Sequence, residues 1–213
     1  MSEELLTLDK EYEARILFGV RSETQDIEGK VLEYNPDYDS LDENMISDSL
    51  NKFFGEIDQF VSPFSSVKVQ GNKLRKVLRD SNYNYEIKDI EGKRIIFFTH
   101  VTIPSKNYSL EIPSRKIKIS KIELKAIGKI SSSELTQFNL PEPLKELQYA
   151  DIVVRCSKGT YIRQLAEDIG KSLNIPAVLI SLRRTSISKW TLQDSIKISD
   201  LENLKLQSDS DPK

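Results

Sequence analysis

Apolar positions recur along this chain with two periods, and each change of period marks the boundary of an element. Between residues 160 and 176, Ile162, Leu165, Ala166, Ile169 and Leu173 fall at i, i+3, i+4, i+7 and i+11, one stripe of a helix. Thr160 is placed to cap its start and Pro176 lies beyond its end. Just before it, Ile152, Val153 and Val154 make a continuous apolar run inside Asp151 to Cys156, the pattern of a buried strand, and Gly159 allows a turn that other residues resist. Tyr12 to Val20 and Lys30 to Glu33 read as paired strands around an Asp26-Ile27-Glu28-Gly29 turn. Ser47 to Phe54 predicts a short helix, residues 35–44 a polar loop, and Ser186 to Trp190 a further strand. Strands and hairpins therefore dominate, with few helices.

The junction from Arg155 to Arg163 holds the densest chemistry. Arg163 falls in the first helical turn, where free N–H groups and the macrodipole already favour negative charge, and a guanidinium can hold a carboxylate or phosphate through two parallel hydrogen bonds. An ordinary surface salt bridge is the alternative for such an arginine. Leu182-Arg183-Arg184-Thr185 follows one helix and one loop downstream.

Read together, the words CSKGTYIRQLAEDIG, LRRT and a tail ending TLQDSI resemble the C-terminal half of the catalytic domain of TruB-type tRNA pseudouridine synthases. The resemblance runs backward through most of the chain. Asp9-Lys10-Glu11-Tyr12 is similar to the family's DKxY segment, and Ser22-Glu23-Thr24-Gln25-Asp26-Ile27-Glu28-Gly29 to its T-x-T-x-D-x-x-G turn, with Ser22 in place of the first Thr. Phe54 to Gln59 and Pro63 to Gly71 resemble its F-x-G-x-x-Q-x-P-P-x-Y-S-A-x-K-x-x-G run, with Ser62 for the first Pro and Phe64 for the Tyr.

The resemblance implies an α+β fold, a mixed, largely antiparallel β-sheet flanked by helices with the cleft across its middle. It implies isomerisation of a T-arm uridine of tRNA to pseudouridine, with no metal and no organic cofactor. Tyr12 would stack on a flipped-out uracil, Arg163 would orient a nucleophilic aspartate, and Leu182 would pack against the base. Lys158, Lys68, Arg183 and Arg184 would contact the RNA, with Phe64 and Ser65 as secondary positions. Outside the family context, Tyr12 reads as a half-buried strand tyrosine and Leu182 as core. The family's aspartate sits upstream of DKxY in a G-T-L-D-P segment, and none of these residues has that context; Asp26, Asp37, Asp39, Asp42 and Asp168 all lie elsewhere. The chain is accordingly expected to lack the family's N-terminal strands and to be inactive alone, its truncated sheet exposing an unpaired edge and apolar surface. Three alternatives follow: a synthase lacking its start, a non-catalytic tRNA-binding module, or half of a split enzyme completed by a peptide carrying the aspartate.

Composition bounds these expectations. With 213 residues, 38% of them hydrophobic and 30% charged, the chain has enough for one sizeable core. We assign residues 1–201 to a partial catalytic domain and residues 202–213 to a polar, disordered tail. Residues 80–109 depart from the family, and Arg94 to Thr99 with Val101 to Ile103 predict an added hairpin. The acidic start, the lack of a long apolar run and the single cysteine predict a cytoplasmic protein without disulfides, with no role at a membrane, and Cys156 reads as buried and inert. Net charge is only −2, yet residues 1–60 carry 16 acidic and 5 basic side chains, whereas residues 155–189 carry 7 basic against Glu167 and Asp168. Clustered cations give nucleic-acid affinity its salt-dependent part. The alternating lysines of Arg115 to Ile122 fit that role and equally the wet face of a strand.

Overall fold

Side-chain alternation in a few long strands makes one face of a sheet the main core. The computed structural model describes residues 2–141, 145–196 and 200. Chain order is α1 (Ser2–Thr7), β1 (Lys10–Phe18), β2 (Val20–Ser22), β3 (Val31–Tyr34), α2 (Glu43–Asn51), β4 (Gly55–Phe60), β5 (Lys68–Val69), β6 (Asn72–Lys73) and α3 (Leu74–Val77). It continues through β7 (Tyr83–Ile90), β8 (Lys93–His100), β9 (Tyr108–Ile112), β10 (Ser114–Ser131), β11 (Glu146–Cys156), α4 (Ile162–Ser172), β12 (Ala177–Ile187) and β13 (Trp190–Thr191). A six-stranded sheet has the order β13-β12-β1-β11-β10-β4 with every pairing antiparallel, and an isolated parallel bridge joins Asp26 to Leu179. The fold is the expected α+β arrangement.

On one face Ala14, Ile16 and Phe18 of β1, Ile152 and Val154 of β11 and Ile119 of β10 are buried under α2 and α4. The apolar stripe of α4 is buried from Ile162 through Ile169 as its spacing requires. Each such aliphatic side chain contributes about 1.5–3 kcal/mol when fully buried. Gly170 sets how closely helix and sheet approach, because a Cβ there would stand 2.4 Å from Ala177 Cβ and 2.6 Å from the Ile175 carbonyl oxygen.

The opposite face is covered at one end by Leu17, Val20, Leu135, Phe138, Leu147 and Val178. The remainder is an open groove lined by Glu13, Arg15, Lys125, Asp151 and Arg183. Ala14, Ile152, Val153 and Ser181 complete its lining, so charged and apolar groups share this surface. Arg15 forms a two-pronged pair with Asp151 at 2.7 and 2.8 Å and lies 4.1 Å over the Tyr149 ring, so the face is wet and internally neutralised. An open edge is present: β4 pairs only with Ser114–Ile119, and β10 beyond Ile119 has no further strand on that side among the described residues.

Local chemistry explains where element boundaries differ from expectation. Helix α2 starts ahead of Ser47 because the Asp42 carboxylate accepts the Met45 N–H at 2.8 Å and caps it there. Thr160 does not cap α4; its hydroxyl donates to the Ser157 carbonyl, and the cap position belongs to Tyr161. Leu182 to Thr185 lies inside β12, continuous with Ser186 and Ile187. The insertion is a three-stranded sheet, β7-β8-β9, and not a hairpin. Val101 to Ile103 is no strand, since His100 Nδ1 accepts the N–H groups of Thr102 and Ile103 and bends the chain into a 3-10 turn at Pro104–Lys106. The third strand is β9. The tail expected at 202–213 lies outside the described residues.

Ile96, Phe98, Leu110 and Ile112 of the inserted sheet pack on Val61 and on Leu74 and Leu78. Arg94 is only 4% exposed, bonds both oxygens of Asp89 at 2.7 and 3.0 Å, and stacks 4.5 Å over Phe60. Asp89 also faces Lys171 of α4 at 3.6 Å, and the Tyr85 hydroxyl donates to Glu23. The insertion is thereby fixed to the turn after β2 and to α4.

Candidate active site

Four segments distant in sequence converge where β11 turns into α4. Gly159 takes φ +82°, as the turn requires, and the strand ends in Cys156. The peptide of Tyr161 is held on both sides by one side chain: its N–H donates to Gln59 Oε1 at 2.9 Å, and its carbonyl accepts from Gln59 Nε2 at 3.1 Å. That clamp from β4 fixes the start of α4 in place of a side-chain cap.

Arg163, in the first turn, is part-buried and donates to Asp26 Oδ2 at 2.6 Å. The other Asp26 oxygen accepts the Thr24 hydroxyl at 2.5 Å and the Glu28 N–H at 3.2 Å, so the carboxylate is held before it meets the arginine. Gln25 beside it is buried and bonds Gln164 Oε1 and Glu167 Oε2 of α4 at 2.7 and 2.6 Å. Its carbonyl accepts the Leu179 N–H, which fastens the turn to β12. Asp26 is the site residue that sequence reasoning placed in a turn without linking it to Arg163; the aspartate of the T-x-T-x-D motif was the available signal.

Tyr12 stands opposite Val154 on one side and Arg184 on the other, and Ala14 opposite Leu182, so Tyr12, Leu182 and Arg184 share the face that carries α4. Leu182 is 46% exposed where β12 has no outer partner among the described residues, β13 pairing only with Ser186 and Ile187, so it does not serve as core. Burial raises the Tyr12 phenol above its ordinary value, with Cys156 adding to the rise and Arg184 opposing it. Tyr12 is therefore a neutral phenol at neutral pH. Burial also pushes the Cys156 thiol up to about 11, which leaves it protonated and unreactive.

The remaining predicted residues separate. Lys158 is exposed in the turn before α4. Arg183 sits opposite Glu13 on the other face, within the charged groove. Lys68 belongs to β5, in the module under the inserted sheet, opposite Lys73. No group of three or more His, Cys, Asp or Glu among the described residues is arranged to hold a metal ion. No helix among them is long and apolar enough to cross a membrane.

Comparison with known proteins places these motifs in context. A family model described as "TruB family pseudouridylate synthase (N terminal domain)" matches residues 1–102. A protein named tRNA pseudouridine synthase B from Francisella tularensis subsp. novicida (strain U112) is 32% identical over 203 residues, covering 95% of this chain and 53% of its own length. One of the same name from Clostridium tetani (strain Massachusetts / E88) is 31% identical over 198 residues, covering 93% and 53%. The chain thus spans about half the length of these curated relatives. Among solved structures, a chain of a Cbf5-Nop10-Gar1 complex superposes with a TM-score of 0.54 at 19% identity, covering 98% of this chain and 39% of that one, a likeness of fold.

Proposed function

Because the chain belongs to the TruB family of pseudouridylate synthases, we propose that it holds a T-arm uridine of tRNA for isomerisation to pseudouridine in the cytoplasm. The observation that carries the proposal is the Arg163–Asp26 pair at 2.6 Å, which joins two separated family motifs beside the sheet face bearing Tyr12 and Leu182. Isomerisation breaks the bond between uracil N1 and the ribose, turns the base, and rejoins it through C5, which loses its proton. Tyr12 stacks on the extruded base, which offsets part of the few kcal/mol needed to unstack it. Leu182 packs against its edge, and its exposure leaves that position open to a ligand. Arg163, steadied by Asp26, orients the reacting carboxylate. Lys158, Arg184 and Lys68 contact the RNA, with Arg184 nearest the base through Tyr12, whereas Arg183 turns to the opposite face and has no place at the base.

We assign that carboxylate to a G-T-L-D-P segment outside these 213 residues, supplied in the same polypeptide or as a complementing peptide. The test is tritium release from tRNA labelled at uridine C5. The chain alone should bind T-arm RNA and release no tritium. A version extended by the G-T-L-D-P segment should release it, and the Asp→Ala form of that extension should not. Release by the chain alone would overturn the assignment, and Asp26→Asn would then show whether Asp26 reacts. Tight RNA binding without release by the extended form would favour a non-catalytic tRNA-binding module.

A further inference from the structure

Charges on the β5–β6 hairpin are arranged against its own stability. Lys68 stands directly opposite Lys73, and like charges across an antiparallel pair destabilise it. Arg75, Lys76 and Arg79 follow on and after α3, and with Lys73 and Asp80 they line one open cleft. All four cations are exposed, and none forms an ion pair among the described residues, although cations elsewhere in the chain commonly do. The one acid of the cleft is engaged: Asp80 Oδ1 accepts the backbone and side-chain N–H groups of Asn82 at 3.0 and 2.8 Å.

The inserted sheet brings an aromatic surface to the same place. The Asp80 carbonyl accepts the Tyr83 N–H at 3.1 Å, and the Tyr83 ring meets the Tyr108 ring edge-on at 5.2 Å and that of His100 at 5.0 Å. Tyr108 lies flat on Phe98, with centroids 4.6 Å apart and planes 11° apart, and it remains 37% exposed. A ring held this firmly loses little freedom when a base stacks on it, and unpaired cations alongside match a phosphate backbone.

We infer that this cleft and Tyr108 form a single-stranded RNA contact separate from the uridine cleft, in which Tyr108 stacks one base and Lys73, Arg75, Lys76 and Arg79 hold the adjacent phosphates. An acidic peptide would use the cations and leave the ring idle, so RNA accounts for both features. The inference rests on the RNA-binding role proposed above, and its test separates the two.

Fluorescence anisotropy of the 213-residue chain with labelled octauridylate, and separately with a T-arm hairpin, is measured across a salt series. Tyr108→Leu should weaken octauridylate binding about ten-fold, as expected for loss of one stacked base, whereas Tyr108→Phe should keep it. The exposed double variant Arg75→Gln/Arg79→Gln should lower the salt slope by about 1.4, two single-strand phosphates' worth. Tyr12→Leu, which removes the ring proposed to stack on the extruded uridine, should weaken hairpin binding more than octauridylate binding. Wild-type affinity in both the Tyr108→Leu and the double variant overturns the inference. So does failure of the unaltered chain to bind octauridylate, and hairpin binding that still depends on Tyr12 would then leave the uridine-cleft role standing.

Discussion

The open sheet face and the β5–α3 hairpin are both rich in cations, yet they differ in how those cations are used. On the sheet, Arg15 bonds Asp151 twice and Lys125 meets Glu123. On the hairpin, Lys68 and Lys73 face each other, and Arg75, Lys76 and Arg79 form no ion pair among the described residues, although Asp80 lines the same cleft. A tally of Lys and Arg along the chain cannot distinguish the two. Cations already bonded to carboxylates must break those bonds before they hold phosphate, whereas unpaired ones gain from the first contact. The basic strand Arg115 to Ile122 stands between these cases, with Lys121 spread toward Glu123 at 3.5 Å and Lys116 and Lys118 opposite Asp58 and Glu56 of β4.

The strongest way to break the comparison is to leave a buried cation without its partner. Asp89→Ala strands Arg94, and because Asp89 is itself half exposed the cost should be about 2 kcal/mol, read from the urea midpoint. The same pair carries a pH dependence. Bonds from Arg94, the largest cause, hold the Asp89 carboxyl below its usual range. Its contribution is therefore complete above the ordinary carboxylate value of about 3.9 and is lost as pH falls through the lower folded value. Asp89→Asn should flatten the acid limb of the stability curve; an unchanged limb would mean that the pair does not bear on folding. Next in size is Asp151→Ala on the open face, expected to cost under about 1 kcal/mol while freeing Arg15 and raising salt-sensitive RNA binding there. If pairing is what silences that face, affinity must rise. Lys73→Thr should act the other way on both readouts, raising stability by a few tenths of a kcal/mol at low salt and weakening octauridylate binding. A loss of stability would show that Lys73 is not under repulsion.

Legibility followed the range of the interactions. Helix α4 was readable from Ile162 onward because its stripe depends on spacing alone, whereas Leu182, Arg183 and Arg184, read as one set, are split by the strand, Leu182 and Arg184 on the Tyr12 face and Arg183 on the other. The start of α2 was misplaced because Asp42 sits in a run of acidic residues, any of which could cap. The insertion was undercounted because Val101 to Ile103 is apolar enough for a strand, while the His100 ring that bends it away acts through its side-chain nitrogen. The Arg163–Asp26 pair spans 137 residues, and although both motifs were visible nothing local to either says that they meet. The expectation of exposed apolar surface named no face, because strand periodicity tells which residues share a face and not what covers that face.

One joint has a consequence for time as well as shape. Gln59 closes a two-bonded ring on the Tyr161 peptide, so a side chain performs there the pairing that a neighbouring strand would otherwise provide. An amide in a connecting loop normally trades its hydrogen with water quickly. The Tyr161 amide should instead exchange at the pace of the sheet, opening only when β4 itself lets go, so the orientation of Arg163 two residues later persists as long as that strand stays docked.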